Sequence, residues 1–142
     1  MGAKQGEKKA TKRLPNCAAM LLCDAVIRDE VTHKTSVIGI FDTFCVESLP
    51  GRTTPCTIFL RLVDGVGRFS LTAEVQDPAR GVVLFRSPET GEYGNPTEKT
   101  SEELWLPVAP LNFDHDGGYD VVVFADGTEI GRVQFKIRRP DL

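Results

Sequence analysis

The chain has little of what catalysis and metal binding usually draw on: two histidines, one tryptophan and four cysteines in 142 residues. The cysteines, at 17, 23, 45 and 56, show neither the C-x-x-C spacing nor the flanking histidines of a zinc site, so free thiols acting as small hydrophobes are expected. No segment keeps a 3.6-residue apolar period, which leaves helices without a signature. The longest uncharged apolar run, Cys17 to Cys23, falls far short of the roughly 18 to 20 residues a membrane helix needs. The basic start is followed too soon by Pro15, Asn16 and Asp24 to make a signal peptide, so the expectation is a cytoplasmic protein with no membrane contact.

What is present is an ordinary globular composition, 41% hydrophobic and 26% charged, in a length that suits one domain. The net charge of −3 conceals an asymmetry. Residues 1–13 carry Lys4, Lys8, Lys9, Lys12 and Arg13 against one glutamate, and they contain almost no apolar side chains. They are expected to be a disordered basic arm ahead of a single domain spanning 14–142. A short arm on an acidic body reads as a solvated extension, so nucleic acid is not the expected partner.

The clearest signal is the stretch from Tyr119 to Ile137, YDVVVFADGTEIGRVQFKI. Tyr119, Val121 and Val123 share a parity with Val133, Phe135 and Ile137, so they share a face only if the connecting loop is odd or a bulge restores the register. A three-residue loop, Ala125 to Gly127, with Gly127 left-handed is the first expectation. A two-residue Asp126-Gly127 turn with a bulge near Gly131 is the alternative. Either way Val122, Phe124 and Ile130 fall on the opposite face, and that second apolar face needs a cover.

Strand after strand precedes this hairpin. Residues 17–27 make an apolar strand, Arg28 to Lys34 turns it back, and Thr35 to Val46 reads as a central strand covered on both faces. Ile58, Leu60 and Leu62 share one face; Phe69, Leu71, Ala73 and Val75 alternate with Ser70, Thr72, Glu74 and Gln76 on a solvent face. Val82 to Arg86 is a short strand. Ser87 to Glu103 lacks apolar periodicity and reads as a long mobile or functional loop. Leu104, Leu106 and Val108 then restore a strand, where Pro107 points to an edge or a bulge. About eight strands at this spacing predict an all-β fold, an immunoglobulin-like antiparallel sandwich, with a small closed barrel as the alternative.

The run LLCDAVIRDEVTHKTSVIGIFDTF and the closing GGYDVVVFADGTEIG resemble the opening and the terminal hairpin of a family of bacterial domains of unknown function. The resemblance covers about residues 17–138. It implies a small β-sandwich with no established activity, and it brings no catalytic residues.

Candidate chemistry is sparse. His33 lies in a polar turn, and His115 sits between Asp114 and Asp116 with no nucleophile motif nearby. Imidazole and carboxylate suit zinc or manganese, but DHDGG reads more simply as turn chemistry. If strands alternate in direction, Asp29, Glu30, Asp64 and Asp126 gather at one end, where carboxylates from several loops could hold calcium or zinc. Asp64-Gly65-Val66-Gly67 lies between strands, not before a helix, so it lacks the context of a phosphate cradle. Trp105, with Tyr93, is either a sugar-stacking platform or packed beneath the long loop. These readings lead to a non-enzymatic protein-interaction module without a cofactor. Its partner surface is expected at Val122, Phe124 and Ile130, with ligand or metal binding at the loop end as the alternative. Oligomeric state is left open.

Overall fold

A computed structural model describes residues 12–89 and 91–140. Residues 1–11 of the expected arm lie outside them. Lys12 and Arg13 lie inside, where Arg13 exchanges backbone hydrogen bonds with Val66.

Two sheets make the sandwich. In the first, β1 (Asn16–Cys23) and β9 (Tyr93–Val108) flank β6 (Cys56–Phe69). In the second, the order is β4 (Thr43–Cys45), β12 (Thr128–Arg138), β11 (Gly117–Ala125), β7 (Leu71–Asp77) and β8 (Val82–Arg86). Two short pairs complete it: β2 (Ala25–Arg28) with β3 (Thr35–Ile38), and β5 (Gly51–Arg52) with β10 (Asn112–Phe113). Both sheets have free edges, so the closed-barrel alternative does not hold. All pairings are antiparallel except β4 on β12.

The expected alternation builds the core. Ile58, Leu60 and Leu62 from β6 meet Leu71, Ala73 and Val75 from β7, and Tyr119, Val121 and Val123 from β11, with Phe135 and Ile137 from β12 beside them. All are nearly or fully buried. Each large aliphatic side chain removed from water contributes roughly 1.5 to 3 kcal/mol, so this layer dominates the stability. β6 and β7 are almost continuous in sequence but belong to opposite sheets, so the chain crosses the sandwich at Ser70.

Several expectations are revised by local breaks that parity alone does not reveal. The terminal hairpin uses the two-residue turn, not the three-residue loop: Ala125 pairs with Thr128, and Asp126 and Gly127 both have positive φ, as a type I′ turn requires. Register shifts beyond it, leaving Ile130 unpaired beside Gly131 as the bulge that restores parity. A second bulge at Ala18 places Cys17 opposite Leu62 and Cys23 opposite Thr57, so the two thiols, although six residues apart, face opposite sides of β1. All four cysteines are free.

The expected central strand from Thr35 to Val46 is split. Gly39, with φ of 70°, turns the chain from β3 on the first sheet's side to β4 on the second, and a Cβ there would collide with the Asp24 carboxylate. The expected loop from Ser87 to Glu103 is also revised, because from Tyr93 onward it is the outer half of β9. That half is mostly exposed and held by the ladder to β6 and by Asn95, whose Oδ1 accepts from the Thr97 and Glu98 amides at 2.9 and 3.2 Å. A ribbon held this way needs no apolar alternation. Finally, the outer face of β7 is not fully in water, since Glu74 is buried under Arg86, 2.5 Å away.

Candidate functional site

The residues expected to form the partner surface do not make one exposed patch. Val122 is fully buried on the outer face of the second sheet, between its cross-strand neighbours Glu74 and Arg132. Arg132 is fixed there by Asp120 at 2.7 Å and Glu129 at 2.8 Å, so its stem covers apolar surface while its charge is paired. Ile130 packs against the core, and Phe124 is half-buried. The cover that this face needed is a layer of paired charged side chains.

No three of the four expected metal residues come together as a ligand group among the described residues, and their roles differ. Asp29 closes the β2–β3 turn, its Oδ1 accepting from the Thr32 and Val31 amides at 2.7 and 2.8 Å, which holds its carboxyl below the usual range. Glu30 is exposed at the same turn. Asp64 sits at positive φ inside β6, and its carbonyl accepts from Arg13 Nε at 3.0 Å. Asp126 binds Lys12 at 2.5 Å and the Ser70 amide at 2.9 Å; these lower its pKa in that order.

Two other arrangements carry functional content. The first is the β2–β3 hairpin, which lies across the outer face of the first sheet. Its inner side is fixed there: Thr35 Oγ1 donates to Glu103 at 3.0 Å, and the Arg28 guanidinium lies 5.8 Å from the centroid of Trp105. Val26 and Val37, paired with each other, share that side with them. By alternation the other side carries Ala25, Ile27, Ser36 and Ile38, and it faces solvent. Ile27 is 53% exposed and Ile38 48%, while Ile40, just beyond, is 60% exposed. Two isoleucines in water on one face of a short element, with a third just past its end, are exposed apolar surface in need of an account. The sequence signal existed, since Thr35 to Val46 is apolar on both parities; the error was to expect both faces covered.

The second is the cluster of Asp77, Asp114 and His115, whose ligand-capable atoms lie within 4.8 Å of one another. Among the described residues it is the one group of three or more histidine, cysteine or acidic side chains so disposed. Asp77 ends β7 and is 2% exposed; His115 comes from the loop before β11. His115 Nε2 lies 2.6 Å from Asp77 Oδ2 and Nδ1 lies 2.7 Å from the Asp116 carbonyl oxygen. The Asp77 contact, then the Asp116 carbonyl, raise the His115 pKa. The ring stacks on Tyr119 at 5.0 Å, and the Tyr119 hydroxyl donates to the His115 carbonyl at 2.7 Å. Burial pushes the Tyr119 hydroxyl up to about 12. Arg80 pairs with Asp114, holding that carboxyl below the usual range. His115 was visible in the sequence as a metal fragment with its neighbours; its distant partner Asp77 was not, because only the fold brings residue 77 to residue 115.

Two facing sheets and edge strands without closure define a small β-sandwich domain. The chain belongs to a family of unknown function (DUF6941), whose model matches residues 18–138. No curated protein matches. Among solved structures, a Niemann-Pick type C2 protein from Japanese carpenter ant is similar, at 10% identity and a TM-score of 0.48, with 94% of this chain and 98% of that one covered. The alkylpurine DNA glycosylase AlkC of Pseudomonas fluorescens, bound to DNA containing an abasic site analog, is similar at 10% identity and a TM-score of 0.40. There 84% of this chain is covered, but only 30% of the glycosylase.

Proposed function

We propose that this domain is a non-enzymatic protein-interaction module that docks an extended apolar segment of a partner protein on the solvent side of β2–β3. The carrying observation is the exposure of Ile27 and Ile38, with Ile40 exposed just past the end of β3, on an element whose opposite side is pinned to the body of the protein. A pinned hairpin presents its surface without an ordering cost, which favours binding. β2 and β3 form a sheet of two strands only, so an added strand can pair along an outer edge while its side chains meet the isoleucines. Burying each isoleucine contributes about 1 kcal/mol or more.

Against catalysis stands the state of His115. Its ring nitrogens contact the Asp116 carbonyl oxygen and Asp77, and among the described residues neither contacts a hydroxyl or thiol that could serve as a nucleophile.

The test is affinity capture from the native cell extract, run with the wild type, Ile38→Asp and Phe124→Asp, beside a photocrosslinking residue at position 27. A partner that crosslinks at 27 and is lost in Ile38→Asp, with the melting temperature of that variant unchanged, is the expected result. Retention in Ile38→Asp with loss in Phe124→Asp would move the surface to the terminal hairpin.

A further inference from the structure

The environment of His115 is unbalanced in a way that points to a cation. Nδ1 faces the Asp116 carbonyl oxygen at 2.7 Å and Nε2 faces a carboxylate oxygen of Asp77 at 2.6 Å. A carbonyl and a carboxylate only accept, while a neutral imidazole has one N–H to give. One of the two contacts therefore needs a further cation, either a proton or a metal ion on Nε2. The Asp116 carbonyl accounts for the proton on Nδ1 and so leaves the Nε2 lone pair aimed at Asp77, the arrangement by which a backbone carbonyl orients a metal-binding histidine.

Asp77 makes the same demand independently. Its side chain is 2% exposed and its second oxygen, Oδ1, has no hydrogen-bond partner. A buried acceptor left without a partner is costly, and more so when it is charged. The third group, Asp114, is exposed and currently neutralised by Arg80, which is the cationic competitor at this place. Tyr119 holds the loop from beneath by its hydroxyl and its ring, so the histidine is preorganised.

We propose that Asp77, Asp114 and His115 form a binding site for a divalent transition metal ion of the zinc class. One imidazole nitrogen and two carboxylates suit that class, with water in the remaining position. Ligands at about 2.0 to 2.1 Å from zinc stand roughly 3 Å or more apart, so binding opens the 2.6 Å contact by some tenths of an ångström and moves Asp114 away from Arg80. The site is separate from the β2–β3 surface, and its failure would leave the docking reading untouched.

The experiment uses the full chain without a histidine tag, stripped with a chelator, with zinc alone as the probe. Thermal unfolding is expected to shift upward by roughly 5 to 10 °C at a hundredfold excess of zinc over the dissociation constant, and back with chelator. Because the chain has only two histidines, NMR separates them: the His115 ring signals move with zinc and those of His33 stay. Asp114→Asn, at an exposed position, is expected to weaken binding at least tenfold. Arg80→Gln, which removes the competitor, is expected to tighten it. Asp77→Asn is expected to abolish it, and if that variant does not fold the other two carry the test. Unmoved His115 signals at saturating zinc near pH 7.5 would overturn the site and leave a proton as the occupant. A thermal shift that persists undiminished in Asp114→Asn, with the His115 signals still, would place the zinc elsewhere, the exposed Cys45 thiol being the next position to substitute.

Discussion

At the residue scale, Gly94 is held against backbone. Its φ is 92°, and a Cβ built on it would stand 2.4 Å from the Gly67 carbonyl oxygen, a backbone atom that cannot swing aside. Gly94 and Gly67 thus let β6 and β9 pass where the register shifts. Gly94→Ala is expected to destabilise the fold by roughly 2 kcal/mol or more, from the left-handed backbone and the collision together. Gly91→Ala, three residues earlier and meeting nothing within 4 Å, is expected to be near neutral. Urea denaturation of both variants checks this, and equal losses would mean the collision is relieved by backbone movement. Residues of this kind explain what was legible. Alternation revealed the burial of Ile58, Leu60, Leu62, Leu71, Ala73 and Val75, because each side chain answers only to its own strand; Phe69, read as one strand with Leu71, is buried too but ends β6 in the other sheet. Val122 was legible as apolar on the second face, but its cover by Arg132 was not, since a salt-bridged layer has no periodic signal.

At the scale of elements, the strands that alternate were legible and those held by backbone pairing alone were not. β7 and β11 are central in their sheet and bury Leu71, Ala73, Val75 and Val121 to Val123. The outer half of β9 has the same ladder geometry with exposed side chains, so nothing in its composition separates it from a loop. The hairpin turn shows the same limit: parity demanded an odd loop or a bulge, and only the φ of Asp126 decided for the bulge. The difference has a dynamic consequence. Opening a strand that buries little exposes little, so its amides exchange through small fluctuations. Hydrogen exchange is expected to be slowest in β7 and β11, and at least a hundredfold faster in β2, β3 and Tyr93 to Lys99. Protection of β2–β3 equal to that of β11 would show the hairpin to be part of the cooperative core, and would remove the distinction between a pinned docking element and the body.

At the scale of the whole molecule, the sandwich was legible but the way the chain crosses between its sheets was not, because crossings at Ser70 and Gly39 depend on single residues. The Ser70 crossing shows how these distant parts are tied. Asp126, in the β11–β12 turn, accepts from the Ser70 amide and pairs with Lys12, so one carboxylate joins the first described residue, the crossing and the terminal hairpin. Lys12, then the Ser70 amide, hold its pKa below the model-compound value of 3.8, and the amides of Thr32 and Val31 do the same for Asp29. A carboxyl whose folded pKa is depressed stabilises the fold above its unfolded pKa and loses that contribution as pH falls through the folded value. The melting temperature is therefore expected to hold as pH drops toward about 4 and to fall below it. Asp126→Asn is a clean probe, because asparagine keeps the positive φ that the turn requires and removes only the charge. Its melting temperature is expected to lie below that of the wild type at pH 7 and to converge with it near pH 2. High salt screens the exposed Lys12 pair but not the added strength that the carboxylate charge gives the Ser70 hydrogen bond, so 1 M salt, roughly a 3 Å screening length, should close only part of the gap at pH 7. A gap that stays constant from pH 7 to pH 2 would mean that Asp126 acts through its shape in the turn and not through its charge.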